Sequence, residues 1–189
     1  SATMLKKAKQ RAAAEGYTMS LHKRDMRNFN LNRNFDACIE MFAVMGYLTE
    51  TVDVQKTLRN IRKHLRVGSL FVFDFWNGLA VLRLLPEVRV GTYEDKDIRV
   101  IRTVQPDLDA FNHICKVNYR LIVVQNDRVI DDNQTTHIIR FFFPQEIKHY
   151  LEDCGFKLLK ICPFPNLDGK ANENTWSVAA IAEATIRGK

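Results

Sequence analysis

Two hydrophobic periods divide the chain. Val54, Leu58, Ile61 and Leu65 recur at spacings of four, three and four within Val52–Leu65, which predicts an amphipathic helix with one buried face. Apolar runs lie on both sides of it. Asp36 to Met45, prominent in Phe35, Cys38, Ile39, Met41 and Phe42, reads as a buried strand running into a loop. Ser69 to Phe75 contains Leu70-Phe71-Val72-Phe73, a near-continuous run suited to a strand covered on both faces. Gly68 stands where the helix must end. A helix joining two consecutive apolar strands makes a right-handed βαβ crossover and hence a parallel sheet. The polar groups of Asp74 to Asn77 then fall at a carboxyl end, where open α/β sheets bind their ligands.

The flanking segments follow other patterns. Residues 3 to 15 are rich in strong helix formers, with Ser1 or Thr3 as the cap and Gly16 as the stop. Tyr17 to Leu21 alternates loosely and reads as a strand. His22 to Asn34 is polar and reads as a loop. From Gly91 to Phe143 the period is two. The runs Ile98 to Val104, Ile114 to Val124 and Val129 to Phe142 are separated by turn signals at Pro106-Asp107 and Asn126-Asp127. They predict a three-stranded antiparallel meander. Arg99, Arg102, Lys116, Asn118 and Arg120 alternate with apolar residues, so one face of the meander is polar. Pro144 opens a helix to Cys154, and Gly155 ends it. Phe156 to Cys162 and Thr175 to Ala184 form a final strand pair, antiparallel across the Pro/Asn/Gly-rich loop between them.

At 189 residues and 46% hydrophobic content, one globular domain is expected, and wholesale disorder is not. The 28 basic residues against 22 acidic ones give a net charge of +6 and a pI near 9.2. The basic residues are scattered, with local runs at Lys6 to Arg11, Lys23-Arg24 and Arg59 to Arg66. Nucleic acid is therefore not the expected partner. Cys38, Cys115, Cys154 and Cys162 form no CxxC pair and have no histidine at metal spacing. No metal site is expected, and a reducing, cytoplasmic setting fits best. No apolar run approaches the ~20 residues a membrane helix needs, so no membrane partner is expected.

In their order, the segments resemble the class I S-adenosylmethionine-dependent methyltransferases. TMLKKAKQRAAAEG resembles the helix after the second strand of that family, and LHKRDMRNF the third strand with its loop. FDACIEMF resembles the fourth strand, and HLRVGSLFVFDFWN the fifth. FFPQEIKHYLEDCGFKLL resembles the helix and sixth strand, and TWSVAAIAEA the reversed seventh. The meander resembles the substrate-covering insertion of small-molecule members such as sugar N-methyltransferases and glycine methyltransferase. The resemblance implies an α/β fold with a Rossmann-like sheet, mostly parallel with an antiparallel last strand, plus the meander insertion. It implies residues 1–87 as a partial core, 88–142 as the insertion and 143–189 as its completion. The family's opening strand, its GxGxG turn and the acidic residue closing its second strand have no counterpart here. The expectation is that this is the later part of a longer polypeptide.

The same resemblance points to site residues. Asp25 in RDMRNF matches the carboxylate that accepts from the adenine amino group, with Met26 beside it; as a plain loop aspartate it would only cap a turn. Glu40, Met41 and Phe42 end the fourth strand, where cofactor and acceptor meet, although Met and Phe are also ordinary core residues. Tyr47, Trp76, Asn77 and Arg140 are candidate acceptor contacts, set against simple packing beneath the insertion. Asp74 is either a general base or a turn cap. His137 is a weak candidate base, and His22, His64, His113 and His149 have lesser claims. Methyl transfer to an amine or hydroxyl of a small molecule, with S-adenosyl-L-methionine as cofactor, is the expected function. An RNA methyltransferase and a non-catalytic binding module are the alternatives, and a homodimer is left open.

Overall fold

The computed structural model describes residues 1–186. Helix α1 (Ala2–Ala14) starts at Ser1, whose hydroxyl accepts from the Met4 N–H, and Gly16 ends it with φ of 76°. Strand β1 (Phe35–Glu40), a short 3-10 turn (Val44–Tyr47), helix α2 (Thr51–Lys63) and strand β2 (Leu65–Trp76) follow. β1 and β2 are parallel, with Cys38 opposite Phe71 and Glu40 opposite Phe73. α2 buries Val54, Leu58 and Ile61, the residues its periodicity selects. A short helix, α3 (Gly78–Leu84), leads into four antiparallel strands: β3 (Arg89–Asp95), β4 (Ile98–Asp109), β5 (Ile114–Gln125) and β6 (Arg128–Arg140). Helix α4 (Pro144–Asp153), β7 (Phe156–Pro163) and β8 (Ser177–Ala184) complete the chain.

The strands form two sheets, ordered β1-β2-β8-β7 and β3-β4-β5-β6. In the first, β8 runs antiparallel to both neighbours, so the other three strands share one direction. The main core lies between this sheet and α2 and α4. Phe71, Phe73 and Phe75, which succeed one another on one face of β2, are each 0% exposed. Burying a side chain of this kind stabilises the fold by about 1.5–3 kcal/mol. Arg62 and His64 close the amino-terminal end. Arg62 donates to the carbonyls of Leu65, Gly155 and Thr185. His64 Nε2 accepts from the Leu31 N–H, so its Nδ1–H donates to Asn60 O. That histidine is a packed strut. Among the described residues no helix is long and apolar enough to cross a membrane.

Four expectations are corrected. Tyr17 to Leu21 is not a strand. Nothing in the described chain offers it a ladder, Tyr17 and Met19 are exposed, and an isolated strand does not hold itself together. The buried strand expected from Asp36 to Met45 stops at Glu40 and forms a sheet edge, with Ile39 71% exposed. The meander has four strands instead of three. β3 escapes the period-two pattern because it is a mostly polar edge strand paired with β4 alone. Pro106-Asp107 is no turn either. Pairing of β4 with β3 ends at Val104, so Pro106 lies where β4 is an edge and no ladder donor is lost. The reversal occurs after Asp109, whereas Asn126-Asp127 does turn the chain, both at positive φ.

Candidate active site

At the carboxyl end of β1 the backbone takes an unusual course. Phe42 and Ala43 are both left-handed, with φ of 71° and 54°, a conformation costing an L-residue roughly 1–2 kcal/mol. The Ala43 N–H donates to Asp74 Oδ2 at 2.9 Å, which ties the turn to β2. Asp74 is 3% exposed, and its Oδ1 has no partner among the described residues. Both carboxylate oxygens of Glu40 are likewise buried and unpartnered. Burial pushes the Glu40 carboxyl up to about 7, and the negative charge of Asp74 adds to the shift. Burial also raises Asp74, against the pull of backbone N–H groups at Ala43 and Phe42.

The second sheet supplies the opposite wall. Cross-strand pairing places Arg89 and Gly91, Arg102 and Val104, Val117 and Tyr119, and His137 and Ile139 on one face. Arg102 therefore does not share the polar outer face of Arg99 and Lys116. Its register with Leu121 turns it inward, where its guanidinium lies 5.2 Å from the Tyr119 ring. The parity of Arg102 with Val104 and against Arg99 is the signal in the sequence that marks it. Two cavities of about 830 and 560 Å³ open along this face. They share Trp76, Arg102, Val117 and Tyr119 and so are parts of one cleft. Trp176 meets Trp76 edge-on at 5.5 Å.

The strained turn and the second sheet meet at Tyr47 and His137. The Tyr47 hydroxyl lies 2.5 Å from His137 Nδ1, and the edge of the Tyr119 ring packs on the same imidazole. Gly46 makes the approach possible. A Cβ there would sit 2.9 Å from Ile139 Cγ2 and 3.0 Å from Arg140 O. Burial raises the Tyr47 phenol above its ordinary value, so the tyrosine stays protonated.

Of the residues singled out from sequence, Phe42, Tyr47, Trp76 and His137 line the cleft together. Glu40 ends the adjacent strand and Met41 follows it. Asp25 and Met26 lie alongside α2. Three N–H groups of Arg27 donate to Asp25, and Arg27 also reaches Asp53 at 2.8 Å. The guanidinium holds the Asp25 carboxyl at about 2, so it is an ionised acceptor. Met26 packs partly against the main core.

Asn77 and Arg140 are corrected from acceptor contacts to structural ties. Asn77 is 2% exposed. It caps α3 through Leu79 N–H and donates to the carbonyls of Asn172 and Thr175. Arg140 follows Ile139 on β6 and so points away from the cleft. There it pairs with Glu146 at 2.6 Å and donates to Thr49 O and the Tyr150 hydroxyl. An isolated sequence shows neither set of partners, because they come from segments far along the chain.

The fold is thus an α/β arrangement: a Rossmann-like sheet with its last strand reversed, a second antiparallel sheet and a cleft lined by both. Residues 1–68 match a family described as a methyltransferase domain. A dTDP-3-amino-3,4,6-trideoxy-alpha-D-glucopyranose N,N-dimethyltransferase of Streptomyces venezuelae is 37% identical over 57 residues, 30% of this chain and 24% of that protein. A dTDP-3-amino-3,6-dideoxy-alpha-D-glucopyranose N,N-dimethyltransferase of Streptomyces fradiae is 26% identical over 144 residues, 73% of this chain and 53% of that protein. The chain thus spans from about a quarter to three fifths of the length of the curated relatives it matches. Among solved structures, an S-adenosylmethionine-dependent methyltransferase of Clostridium acetobutylicum superposes with a TM-score of 0.84 at 19% identity, covering 98% of this chain and 73% of that one. Streptomyces venezuelae DesVI superposes at 0.76 with 19% identity, covering 98% and 72%. The amino-terminal third of the chain thus matches the methyltransferase-domain family, and the chain as a whole shares the fold of these S-adenosylmethionine-dependent methyltransferases.

Proposed function

We propose that the full-length protein transfers a methyl group from S-adenosylmethionine to an amine of a small acceptor, a hydroxyl being the alternative nucleophile. The observation that carries this reading is the cleft in which Tyr47 and His137 face the end of β1. The cofactor supplies an electrophilic methyl group on positively charged sulfur. Asp25 is the ionised acceptor suited to the adenine amino group. Met41 and Phe42 line the donor side, and the rings of Phe42, Tyr47 and Trp76 suit a cation. The orphaned oxygens of Glu40 fit this assignment, since buried polar atoms without partners in a chain point to hydrogen-bonding groups that belong beside them.

On the acceptor side, the tautomer in which His137 Nδ1–H donates to the Tyr47 hydroxyl oxygen leaves the Nε2 lone pair to take the proton an amine releases. Proximity and alignment provide most of the remaining acceleration, roughly 7–11 kcal/mol in favourable cases. Arg89 and Arg102 have no ion-pair partner among the described residues and suit an acidic group on the acceptor. The relatives that act on dTDP-amino sugars support an amine carried on a sugar. Residues 88–142 would then serve as the cover, with 1–87 and 143–189 as the core that it closes, 187–189 lying outside the described residues.

Calorimetry of the full-length protein with S-adenosylhomocysteine tests the cofactor assignment. Saturable binding is expected. No binding would favour an interaction module, and a salt-steep affinity for RNA would favour an RNA substrate. With binding established, His137→Asn lowers kcat by about 10²-fold or more if the histidine is the base.

A further inference from the structure

We infer that Asp74 is a positioning residue, whose carboxylate holds the Phe42–Ala43 turn in its left-handed conformation and so sets the donor-side wall of the cleft. This rests on the methyltransferase reading above. Two consecutive non-glycine residues at positive φ persist only where their surroundings over-determine them. Here the determinant is visible: Oδ2 of a 3% exposed aspartate, 2.9 Å from Ala43 N. The turn is not a packed corner. Phe42 is 82% exposed and meets Phe164 edge-on at 6.1 Å, and both turn residues line the cleft. The strain is thus stored where a ligand binds. Glu40 precedes the turn and Tyr47 ends the 3-10 segment that follows it. A relaxed turn would move the donor wall and, through Tyr47, the orientation of His137.

The hydrogen bond needs an acceptor oxygen and no charge, which separates positioning from base catalysis. In the full-length protein, Asp74→Asn keeps an amide oxygen for Ala43 and holds kcat/KM and S-adenosylhomocysteine affinity within about 3-fold of wild type. Asp74→Ala loses about 10- to 100-fold in kcat/KM per folded molecule, the scale of an ångström's misplacement. Ala43→Gly added to Asp74→Ala recovers part of that loss, because glycine holds positive φ without penalty. An Asp74→Asn as damaged as Asp74→Ala overturns the inference, as does an Asp74→Ala equal to wild type. Should Asp74→Ala not fold, hydrogen exchange at the Ala43 amide of Asp74→Asn decides. Slow exchange with a near-wild-type KM supports positioning; fast exchange with unchanged KM overturns it. A wild type that binds no S-adenosylhomocysteine overturns the reading of the site itself and is recognised separately.

Discussion

The two sheets solve different problems. In the first, β2 is covered on one face by α2 and α4 and paired on both edges, and Phe71, Phe73 and Phe75 are wholly buried. In the second, the buried apolar cluster is small, comprising Cys115, Val117 and Ile139, and most of β3 and the outer half of β6 are exposed. Long ladders hold this sheet, with β4 and β5 paired from Ile98 to Ile114 in unbroken register. Its inner face carries Arg102, Tyr119 and His137 where a second core would need apolar residues. The first sheet uses its surface for stability. The second exposes its polar outer face and lines the cleft with its inner one.

Mutations sharpen this contrast. Phe73→Ala in the first sheet is expected to cost about 3–5 kcal/mol in denaturant unfolding, whereas Val117→Ala in the second costs about 1–2. Equal losses would show that the second sheet has an independent core. Arg140→Ala, at the seam between the sheets, removes a buried partner of Glu146 and is expected to cost about 3 kcal/mol. A loss below 1 would mean the seam is solvated.

Glu40 gives a pH signature. Its carboxyl is raised from 4.5 to about 7 in the fold, so the native state holds its proton more tightly than the unfolded chain. Stability is then lost as pH rises through this interval and levels off above about 7. Glu40→Gln is expected to raise stability by about 1–3 kcal/mol at pH 8 and to have little effect at pH 4. A pH-independent effect would remove Glu40 from the buried set. The smallest change falls on the outer face of the second sheet. There Arg99 pairs with Glu94 with both side chains more than half exposed, and Arg99→Ala should shift stability by no more than about 0.5 kcal/mol.

Legibility in the sequence follows the same division. α2 and α4 are readable because their apolar residues answer to one buried side, β2 and the β7–β8 pair because their apolar runs are nearly continuous, and the caps at Ser1, Gly16 and Gly155 are local. Period two marks β4, β5 and β6, but β3 carries too few apolar residues to register. Half of the cleft is legible as well. Phe42, Tyr47, Trp76 and His137 follow strand ends or sit on an inward parity. Arg140 and Asn77 mislead, because a polar residue beside a cleft residue looks functional until its partners are seen.

Local chemistry alone settles α1, α2, α4, the parallel β1–α2–β2 unit and the antiparallel β7–β8 pair, since each follows from short-range periodicity and turn residues; the order of these segments carries the family resemblance. Only the tertiary structure decides that Arg102 faces the cleft and Arg140 does not, that Asp74 braces a left-handed turn, and that Tyr47 meets His137 ninety positions away. These facts depend on strand register and on which distant backbone N–H or carboxylate completes a hydrogen bond, and a linear pattern does not encode either one.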